Sequence, residues 1–388
     1  MDLERFENSP LGDLVPISGS HEGKHFDHFA FRPHPLPFQI DLDATTWAAL
    51  AEAMHALGRL DSAGKRLPNP RLVTRSAIRR EAVSTSALEG TYTTLPQVFE
   101  SELLGDEPKS RDVDEVLRFV RTAELGFELI RERPISQSLI KTLHARLMDG
   151  DPRCPDDEKG DFRKRQNFIG PRRAGIVNSF FVPPPPGDPV QDAMDDWVRW
   201  VRETDLPVLV RSAVGHYQFE TIHPFFDGNG RLGRLLIVLQ LLEEEKLSEP
   251  ILEISTFLED HRDEYQELLR RVSSTGDWNV WVGFFSEAVR SQSEQGLAKV
   301  DALLTYREEM MALLHENRVR GAAVQLADEL IGSPVQVPAR VADRLGITYQ
   351  AALNSLERLA ALGVLRRVDS SGRRRLYIAS EVLTILEW

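Results

Sequence analysis

Apolar residues recur every three or four positions along most of the chain, which is the spacing of one buried helix face. Trp47, Leu50, Met54 and Leu57 follow this spacing directly after Asp43, whose short carboxylate is a typical helix N-cap. The spacing continues in five further stretches: DEVLRFVRTAELGFELIRER, SQSLIKTLHARLM, VQDAMDDWVRWVRE, LPVLVRSAVGHYQFETI and RLGRLLIVLQLLEEE. We therefore predict a mainly α protein.

Two stretches interrupt the helical pattern. Residues 1–38 are rich in Pro, His and Phe without regular spacing, so we expect an extended arm laid over a folded body. Residues 151–186 contain two short β-prone runs, GDFRKRQNFIG and GIVNSFFV, followed by four prolines. This second stretch predicts a small β-hairpin flap on a helical core.

The pattern changes again after residues 317–321. AAVQLADELI, PARVADRLGI and YQAALNSLERLAALGVL predict three short helices, and LRRVDSSGRRRLYI predicts two strands about a Ser-Gly turn. This order is typical of a winged-helix domain, and arginines outnumber acidic residues around it. We predict three parts: an N-terminal arm and helical segment (1–110), a core (111–300), and a linker helix with the winged helix (301–388).

Composition restricts the classes of function. The 388 residues carry a formal net charge of -13, which argues against a protein that mainly coats nucleic acid or an anionic membrane. Cys154 is the single cysteine, so an internal disulfide cannot form and a reducing compartment is expected. The N-terminus lacks an apolar signal segment, and the apolar run LLIVLQLL is far shorter than a membrane-spanning helix. We expect a cytoplasmic protein without membrane contact.

The stretch TIHPFFDGNGRLGR, which ends at Arg234, carries the most chemical information. Gly228 and Gly230 flank Asn229 and allow a tight concave turn, and the next helix points its unpaired N–H groups at that turn. Such a turn favours an anion. Arg231 and Arg234 lie on one helical face and can reach the same anion, which indicates a polyphosphate.

The residues before this turn add a base and a metal ligand. His223 precedes Pro224, which prevents the preceding helix from continuing, so the imidazole is expected to project over the turn. Asp227 could hold a Mg²⁺ ion that bridges phosphate oxygens. GNG alone is equally compatible with an ordinary turn between helices. The histidine, the carboxylate and both arginines together favour the phosphate site.

HPFFDGNGRLGR resembles the signature of Fic-domain proteins, His-Pro-Phe-x-Asp/Glu-Gly-Asn-Gly-Arg-x-x-Arg, at every specified position. The resemblance implies a Fic-type core that transfers AMP from ATP to a Ser, Thr or Tyr hydroxyl of a protein and releases pyrophosphate. His223 would be the base, and Asp227 would hold Mg²⁺ against the α- and β-phosphates. The other signature residues would bind the triphosphate of ATP: Gly228, Asn229, Gly230, Arg231 and Arg234.

A second stretch, TSALEG, ends in Glu89 and Gly90. Taken alone, it is the end of an ordinary amphipathic helix, for which Gly90 is a suitable stop. Beside the Fic signature it also resembles the inhibitory helix of that family, Thr/Ser-x-x-x-Glu-Gly/Asn. The resemblance implies a self-inhibited enzyme in which Glu89 pairs with Arg234 and occupies the place of the γ-phosphate.

The predicted flap contains a candidate target-binding segment. Phe168, Ile169 and Gly170 fall where Fic relatives clamp a segment of the target protein by strand addition. A structural hairpin without target contact is the alternative for each of them. Tyr265 and Trp278 could contact adenine, but aromatic residues at helical spacing more often belong to a core.

Other functions stay open at this point. The chain could be a nucleotide-sensing DNA-binding regulator, with Gln350, Asn354 and Arg358 in the major groove and Arg373 to Arg375 on phosphates. Winged helices also serve as protein-docking or dimer modules. A Fic enzyme could instead use another nucleotide, transfer phosphocholine or remove AMP. The expected partners are a hydroxyl-bearing protein target, the enzyme itself, and a second copy in a homodimer.

Overall fold

The computed structural model describes residues 1–21, 23–65, 70–104, 110–171, 175–369 and 375–387. These residues are mainly helical, as predicted, and none of their helices combines the length and apolar character needed to cross a membrane. In chain order the helices are α1 (Ala44–Lys65), α2 (Pro70–Leu88), α3 (Leu95–Leu104), α4 (Arg111–Leu129), α5 (Gln137–Met148), α6 (Asp188–Glu203), α7 (Val208–Ile222), α8 (Asn229–Glu243), α9 (Ile254–Asp260), α10 (Arg262–Thr275), α11 (Trp278–Glu316), α12 (Ala322–Glu329), α13 (Pro338–Leu345), α14 (Tyr349–Ala361) and α15 (Ser380–Leu386). The strands are β1 (Gly12–His21), β2 (Lys24–Pro33), β3 (Val335–Gln336), β4 (Arg366–Asp369) and β5 (Arg375–Ile378).

The chain divides into two compact units that alternate along the sequence. The first unit comprises Met1–His55, Arg121–Lys246 and Phe257–Ser291, and the second comprises Ala56–Val120, Leu247–Thr256 and Gln292–Trp388. The whole signature stretch lies in the first unit, whereas Glu89 lies in the second. The predicted domain boundaries at residues 110 and 300 stay predictions.

Helix α7 lies in the core of the first unit, and nearly every one of its residues is buried. Trp197 of α6 donates its indole N–H to the Gly215 carbonyl of α7 at 2.7 Å, and Trp281 of α11 donates to the Ala213 carbonyl at 2.7 Å. At Gly233, α8 packs so closely on α7 that a Cβ would overlap side chains of α7. Because α7 is held on several sides, the position of the residues that follow it is well defined.

The predicted extended arm is in fact an antiparallel hairpin, formed by β1 and β2. Phe31 of β2 is buried against Phe6 and Phe181, with ring centroids 5.7 and 5.5 Å away. Its backbone N–H donates to the Val182 carbonyl at 2.8 Å, which joins the hairpin to the end of the predicted flap. Hydrophobic alternation did not reveal β2 because the adjacent residues Ala30 and Phe31 are both buried, so both faces of the strand are covered there.

The second unit contains the elements predicted for the C-terminal region. Helices α12, α13 and α14 precede β4 and β5, and β3 completes an antiparallel sheet in the order β3-β5-β4. The exposed side chains of Gln350 and Asn354 hydrogen-bond each other at 2.8 Å, whereas Arg358 donates to a backbone carbonyl. Arg373 and Arg374 lie outside the described residues. The winged-helix assignment, DNA binding and dimer formation stay predictions.

Candidate active site

The base loop, residues 223–228, connects α7 to α8. Helix α7 ends at Ile222, and His223 adopts the left-handed conformation, with φ 50° and ψ 59°. Its N–H donates to the Phe219 carbonyl at 2.9 Å, and Pro224 follows it. A left-handed conformation costs a residue other than glycine roughly 1–3 kcal/mol, so surrounding contacts must hold it. The imidazole thereby leaves the helix axis while 19% of its surface stays exposed.

A backbone carbonyl determines which ring nitrogen of His223 carries the proton. Nδ1 lies 3.3 Å from the Glu220 carbonyl oxygen. Because a carbonyl oxygen only accepts, Nδ1 donates, and the lone pair of the neutral ring lies on Nε2. The Glu220 carboxylate lies 3.9 Å from Nδ1 and stabilises the imidazolium that forms when Nε2 takes up a proton.

Asn229 closes the base loop with two hydrogen bonds to one residue. Its Oδ1 accepts the Phe225 N–H at 2.8 Å, and its Nδ2 donates to the Phe225 carbonyl at 2.9 Å. Asn167 donates to the same carbonyl at 3.1 Å. Gly228 has φ 80°, in the left-handed region that favours glycine, and a Cβ there would lie 2.6 Å from Cε of Met148. The Asn229 side chain shapes the turn, and the first N–H groups of α8 face it.

The first turns of α8 bury two cations. Gly230 and both arginines are buried, and Arg231 and Arg234 are only 1% and 2% exposed. Arg231 Nη2 donates to Asp227 Oδ1 at 3.4 Å. Burial of a guanidinium is unfavourable unless an anion compensates it, so the Asp227 carboxylate stabilises the buried Arg231.

The Asp227 carboxylate is ionised at neutral pH. Burial raises its pKa, but the charges of Arg231 and Arg153 and the Gly228 N–H, at 2.6 Å, more than compensate, so the pKa lies below its ordinary value. Within the described residues, no three His, Cys, Asp or Glu side chains form a group that could hold a metal. One carboxylate is enough for Mg²⁺ when substrate phosphates supply the other ligands, so Asp227 fits a nucleotide-bound Mg²⁺.

His144 supports the base loop from α5, a role that the sequence analysis missed. Its Nδ1 accepts the Gly160 N–H at 3.0 Å, so Nε2 carries the proton and donates to the Asp227 carbonyl at 3.0 Å. The ring stacks on Phe225, with centroids 3.8 Å apart. Burial lowers the pKa of His144 to about 4, so it stays neutral at pH 7. The sequence did contain a signal for this role, because His144 lies between Leu143 and Leu147 on the buried face of α5.

Arg163 was also missed, although it touches the base loop directly. Its side chain is 1% exposed and donates to backbone carbonyls: Nε to His223 at 2.9 Å, and Nη2 to Pro184 at 2.5 Å and Ile222 at 3.4 Å. Nη1 donates to the Arg165 carbonyl at 3.3 Å. Burial lowers its pKa to about 9, which leaves it charged at neutral pH. No local spacing in the sequence marks this residue.

The flap residues are placed as follows. Ile169 forms an antiparallel bridge with Phe181: its N–H donates to the Phe181 carbonyl at 2.8 Å, and its own carbonyl accepts the Phe180 N–H at 2.9 Å. Phe168 and Ile169 pack against the apolar cluster of the N-terminal hairpin. Gly170 has φ 147°, and a Cβ there would lie 3.0 Å from the Phe180 nitrogen. Within the described residues, one antiparallel bridge pairs the two sides of the flap. Contact between these flap residues and a target protein stays a prediction.

Glu89 lies in the exposed turn that follows Leu88, the last residue of α2. Gly90 has φ 85°, and its N–H donates to the Ala87 carbonyl at 2.9 Å, as expected for a glycine that stops a helix. The inhibitory pairing of Glu89 with Arg234 stays a prediction.

The two aromatic residues considered for adenine binding belong to the core of the first unit. Tyr265 is 4% exposed, and its hydroxyl lies 2.8 Å from Nε2 of His216. Trp278 packs edge-on against Tyr217, with ring centroids 5.2 Å apart. The structure favours the core interpretation for both residues.

Stability is expected to fall between pH 7 and pH 5, because the first unit buries two neutral histidines. Burial lowers the pKa of His144 to about 4 and that of His216 to about 3, where the charge of Arg234 also contributes. Both values lie below the ordinary 6.5, so below pH 6.5 the unfolded chain binds protons that the folded chain excludes. Above pH 6.5 each buried histidine makes its full contribution to the free energy of unfolding, and at pH 5 about 2 kcal/mol of each contribution is lost.

Urea unfolding followed by tryptophan fluorescence measures this loss, because every tryptophan except Trp388 lies in the first unit. We expect the free energy of unfolding to be about 4 kcal/mol lower at pH 5 than at pH 7. The loss should be about half as large in His144→Gln, whose amide can still donate to the Asp227 carbonyl. Equal stability at both pH values would contradict the burial of neutral imidazoles.

Comparison with known families agrees with the signature. Residues 47–128 match the family described as Fic/DOC family N-terminal, and residues 134–241 match the Fic/DOC family. The chain therefore contains a Fic domain, preceded by the N-terminal region of the same family.

Curated relatives and solved structures place the fold in the same group. The chain is 27% identical to Protein adenylyltransferase Fic of Drosophila willistoni over 220 residues, which cover 55% of this chain and 41% of that protein. It is 33% identical to Probable protein adenylyltransferase aq_aa38 of Aquifex aeolicus over 150 residues, which cover 37% of this chain and 42% of that protein. The chain thus spans less than half the length of these two relatives.

The fold is similar to that of a Fic family protein from Desulfovibrio desulfuricans, with a TM-score of 0.56 and 23% identity over 87% of this chain and 97% of that one. It is also similar to Fic-1 from C. elegans, with a TM-score of 0.50 and 21% identity over 67% of this chain and 74% of that one. These structures establish the similarity of fold.

Proposed function

We propose that the protein is an adenylyltransferase that moves AMP from ATP to a Ser, Thr or Tyr hydroxyl of a protein, including itself. The left-handed conformation of His223 carries this proposal. With Nδ1 donating to the Glu220 carbonyl at 3.3 Å, Nε2 can accept a proton at the edge of a turn that is followed by two buried arginines. The two curated relatives are named Protein adenylyltransferase Fic and Probable protein adenylyltransferase aq_aa38, which supports the same reaction here.

The proposed step forms one bond and breaks another. The target hydroxyl oxygen bonds to the α-phosphorus of ATP, and the bond from that phosphorus to the oxygen that bridges it to the β-phosphorus breaks. Nε2 of His223 takes the hydroxyl proton, and the Glu220 carboxylate stabilises the resulting imidazolium. Pyrophosphate leaves with the electron pair of the broken bond. Arg231 and Arg234 neutralise the charge that develops on the departing phosphates.

The triphosphate is proposed to lie on the turn formed by Gly228, Asn229 and Gly230, where the first N–H groups of α8 meet it. Asp227, anionic at neutral pH, would hold Mg²⁺ there. When bound, Mg²⁺ would supply positive charge that stabilises the phosphates. Glu89 is proposed to hold the enzyme in a low-activity state by pairing with Arg234, so that ATP binds in a poor pose.

Labelled ATP tests the reaction directly. Full-length protein is incubated with Mg²⁺ and either α-labelled or γ-labelled ATP, and the label on protein is counted. We expect label from α-labelled ATP alone, because the γ-phosphate leaves with pyrophosphate. Transfer of γ-label would indicate a kinase-like reaction and would refute the proposal. Mass spectrometry of a lysate treated with the Glu89→Gly protein then identifies the hydroxyl side chains that gain AMP.

A further inference from the structure

Arg163 connects two parts of the candidate site that are distant in the sequence. On one side its guanidinium donates to the carbonyls of Ile222 and His223. Arg163 and His223 are 60 residues apart in the sequence. On the other side it donates to the carbonyls of Arg165 and Pro184, which bound the flap segment, residues 166–171 and 175–183. Its backbone N–H also donates to the Pro224 carbonyl at 2.9 Å, so both its main chain and its side chain hold the base loop.

We propose that Arg163 is a positioning residue that holds the His223 base at a fixed place relative to the flap segment. The inference rests on the proposed function, because it states that Arg163 sets the distance between the His223 base and a target hydroxyl held by the flap. The left-handed conformation of His223 is unfavourable by itself and depends on neighbours that hold it. The Arg163 bond to the His223 carbonyl is such a contact.

The geometry requires a guanidinium and not merely a positive charge. Four carbonyls lie around one planar group, and arginine presents five N–H donors in fixed directions. A lysine at this position would bring a single nitrogen with three donors, which cannot reach carbonyls at opposite edges of the guanidinium. Arg163→Lys is therefore expected to keep the charge and lose the side-chain bonds that join the His223 carbonyl to the flap segment, while the bond from Asn167 to the Phe225 carbonyl remains.

Arg163→Lys is expected to slow the chemical step more than it weakens the binding of ATP. The turn proposed for the triphosphate is held separately, by the two bonds between Asn229 and Phe225 and by the bond from His144 to the Asp227 carbonyl. A base displaced by about 1 Å can lower a rate by about 100-fold. We therefore expect kcat to fall roughly 10- to 100-fold in Arg163→Lys, while KM for ATP changes less than about twofold.

The test combines two readouts on the full chain. The imidazole ¹⁵N signals of the wild type and Arg163→Lys are compared by NMR without nucleotide, and kcat and KM are then measured with α-labelled ATP. Arg211→Lys is the matched control, since Arg211 lies near the start of α7, the helix that precedes His223, is 11% exposed on its side chain, and pairs with Glu244 at 2.5 Å. Arg163→Met is measured in parallel, with the thermal midpoint of each variant as a check of folding.

The inference predicts that the His223 signals shift in Arg163→Lys while those of His144 and His216 keep their positions, and that Arg211→Lys leaves all three unchanged. Unchanged His223 signals, or a change in KM without a change in kcat, would overturn it. If the wild type transfers no label while the His223 signals still shift in Arg163→Lys, the proposed function fails and the positioning role stands. The two failures are thereby distinguishable.

Discussion

Replacing His223 with alanine is expected to lower the rate of AMP transfer by roughly 10²- to 10⁴-fold, which is the usual contribution of a positioned general base. The reason is that Nε2 carries the lone pair, since Nδ1 donates to the Glu220 carbonyl at 3.3 Å. Without the imidazole, the hydroxyl must lose its proton to water. ATP binding is expected to remain, because the base does not belong to the turn proposed for the triphosphate.

Alanine also changes the backbone at this position, so a second variant is needed. His223 has φ 50°, a conformation that asparagine adopts far more readily than alanine does. His223→Asn thus keeps the base loop but offers no group that can take up a proton at neutral pH. We expect both variants to be equally inactive. Full activity of His223→Asn together with inactive His223→Ala would show that the loop conformation matters and the base does not.

The exposed histidine His55 on α1 supplies the control for these variants. His55→Ala is expected to transfer AMP at the wild-type rate. The measurement is the initial rate of label transfer from α-labelled ATP, with ATP affinity measured separately by calorimetry. A His223→Ala protein that retains more than a tenth of the wild-type rate would remove the proposed base from the mechanism.

The end of α7 before His223 and the first turn of α8 could be predicted because they follow from local rules. Pro224 cannot continue a helix, and α7 indeed ends at Ile222. Gly228 adopts φ 80° at the predicted concave turn, and α8 begins at Asn229 directly after it. Each of these features depends on residues within a few positions of one another, so the sequence contains all the information that they require.

The supports of the base loop could not be predicted in the same way. Arg163 reaches the His223 carbonyl across 60 residues, and His144 reaches the Asp227 carbonyl across 83 residues. Bonds between a side chain and a distant backbone carbonyl leave no periodic pattern, because any residue supplies the carbonyl. Such contacts become visible only when the tertiary structure brings α5, the flap segment and the base loop together.

The N-terminal hairpin escaped prediction for a different reason. A half-buried strand alternates apolar and polar residues, but Ala30 and Phe31 are adjacent and both buried. The N–H of Phe31 donates to the Val182 carbonyl, so part of the outer edge of β2 is also covered. The alternation of β2 is thus interrupted at Ala30 and Phe31, and aromatic residues without regular spacing are easily interpreted as an irregular arm.

Glu89→Gly is expected to raise self-modification by roughly 5- to 150-fold, which is the range that a coupling of 1–3 kcal/mol produces. In the proposed mechanism the Glu89 carboxylate competes with the γ-phosphate for Arg234, and glycine leaves that arginine to ATP. Glycine should fold at this position, because Glu89 lies in an exposed turn and not within α2. The measurement is the label incorporated from α-labelled ATP into the protein itself.

Glu132→Gly is the matched control, because Glu132 is likewise an exposed glutamate in the turn that follows a helix, here α4. It is expected to leave self-modification unchanged, so that an increase in both Glu89→Gly and Glu132→Gly would point to a general loosening of the chain.

Glu89→Gln tests the charge alone: it should activate nearly as much as glycine if the negative charge is what excludes the γ-phosphate. If Glu89→Gly and Glu89→Gln both modify themselves at the wild-type rate, inhibition by the Glu89 carboxylate is refuted.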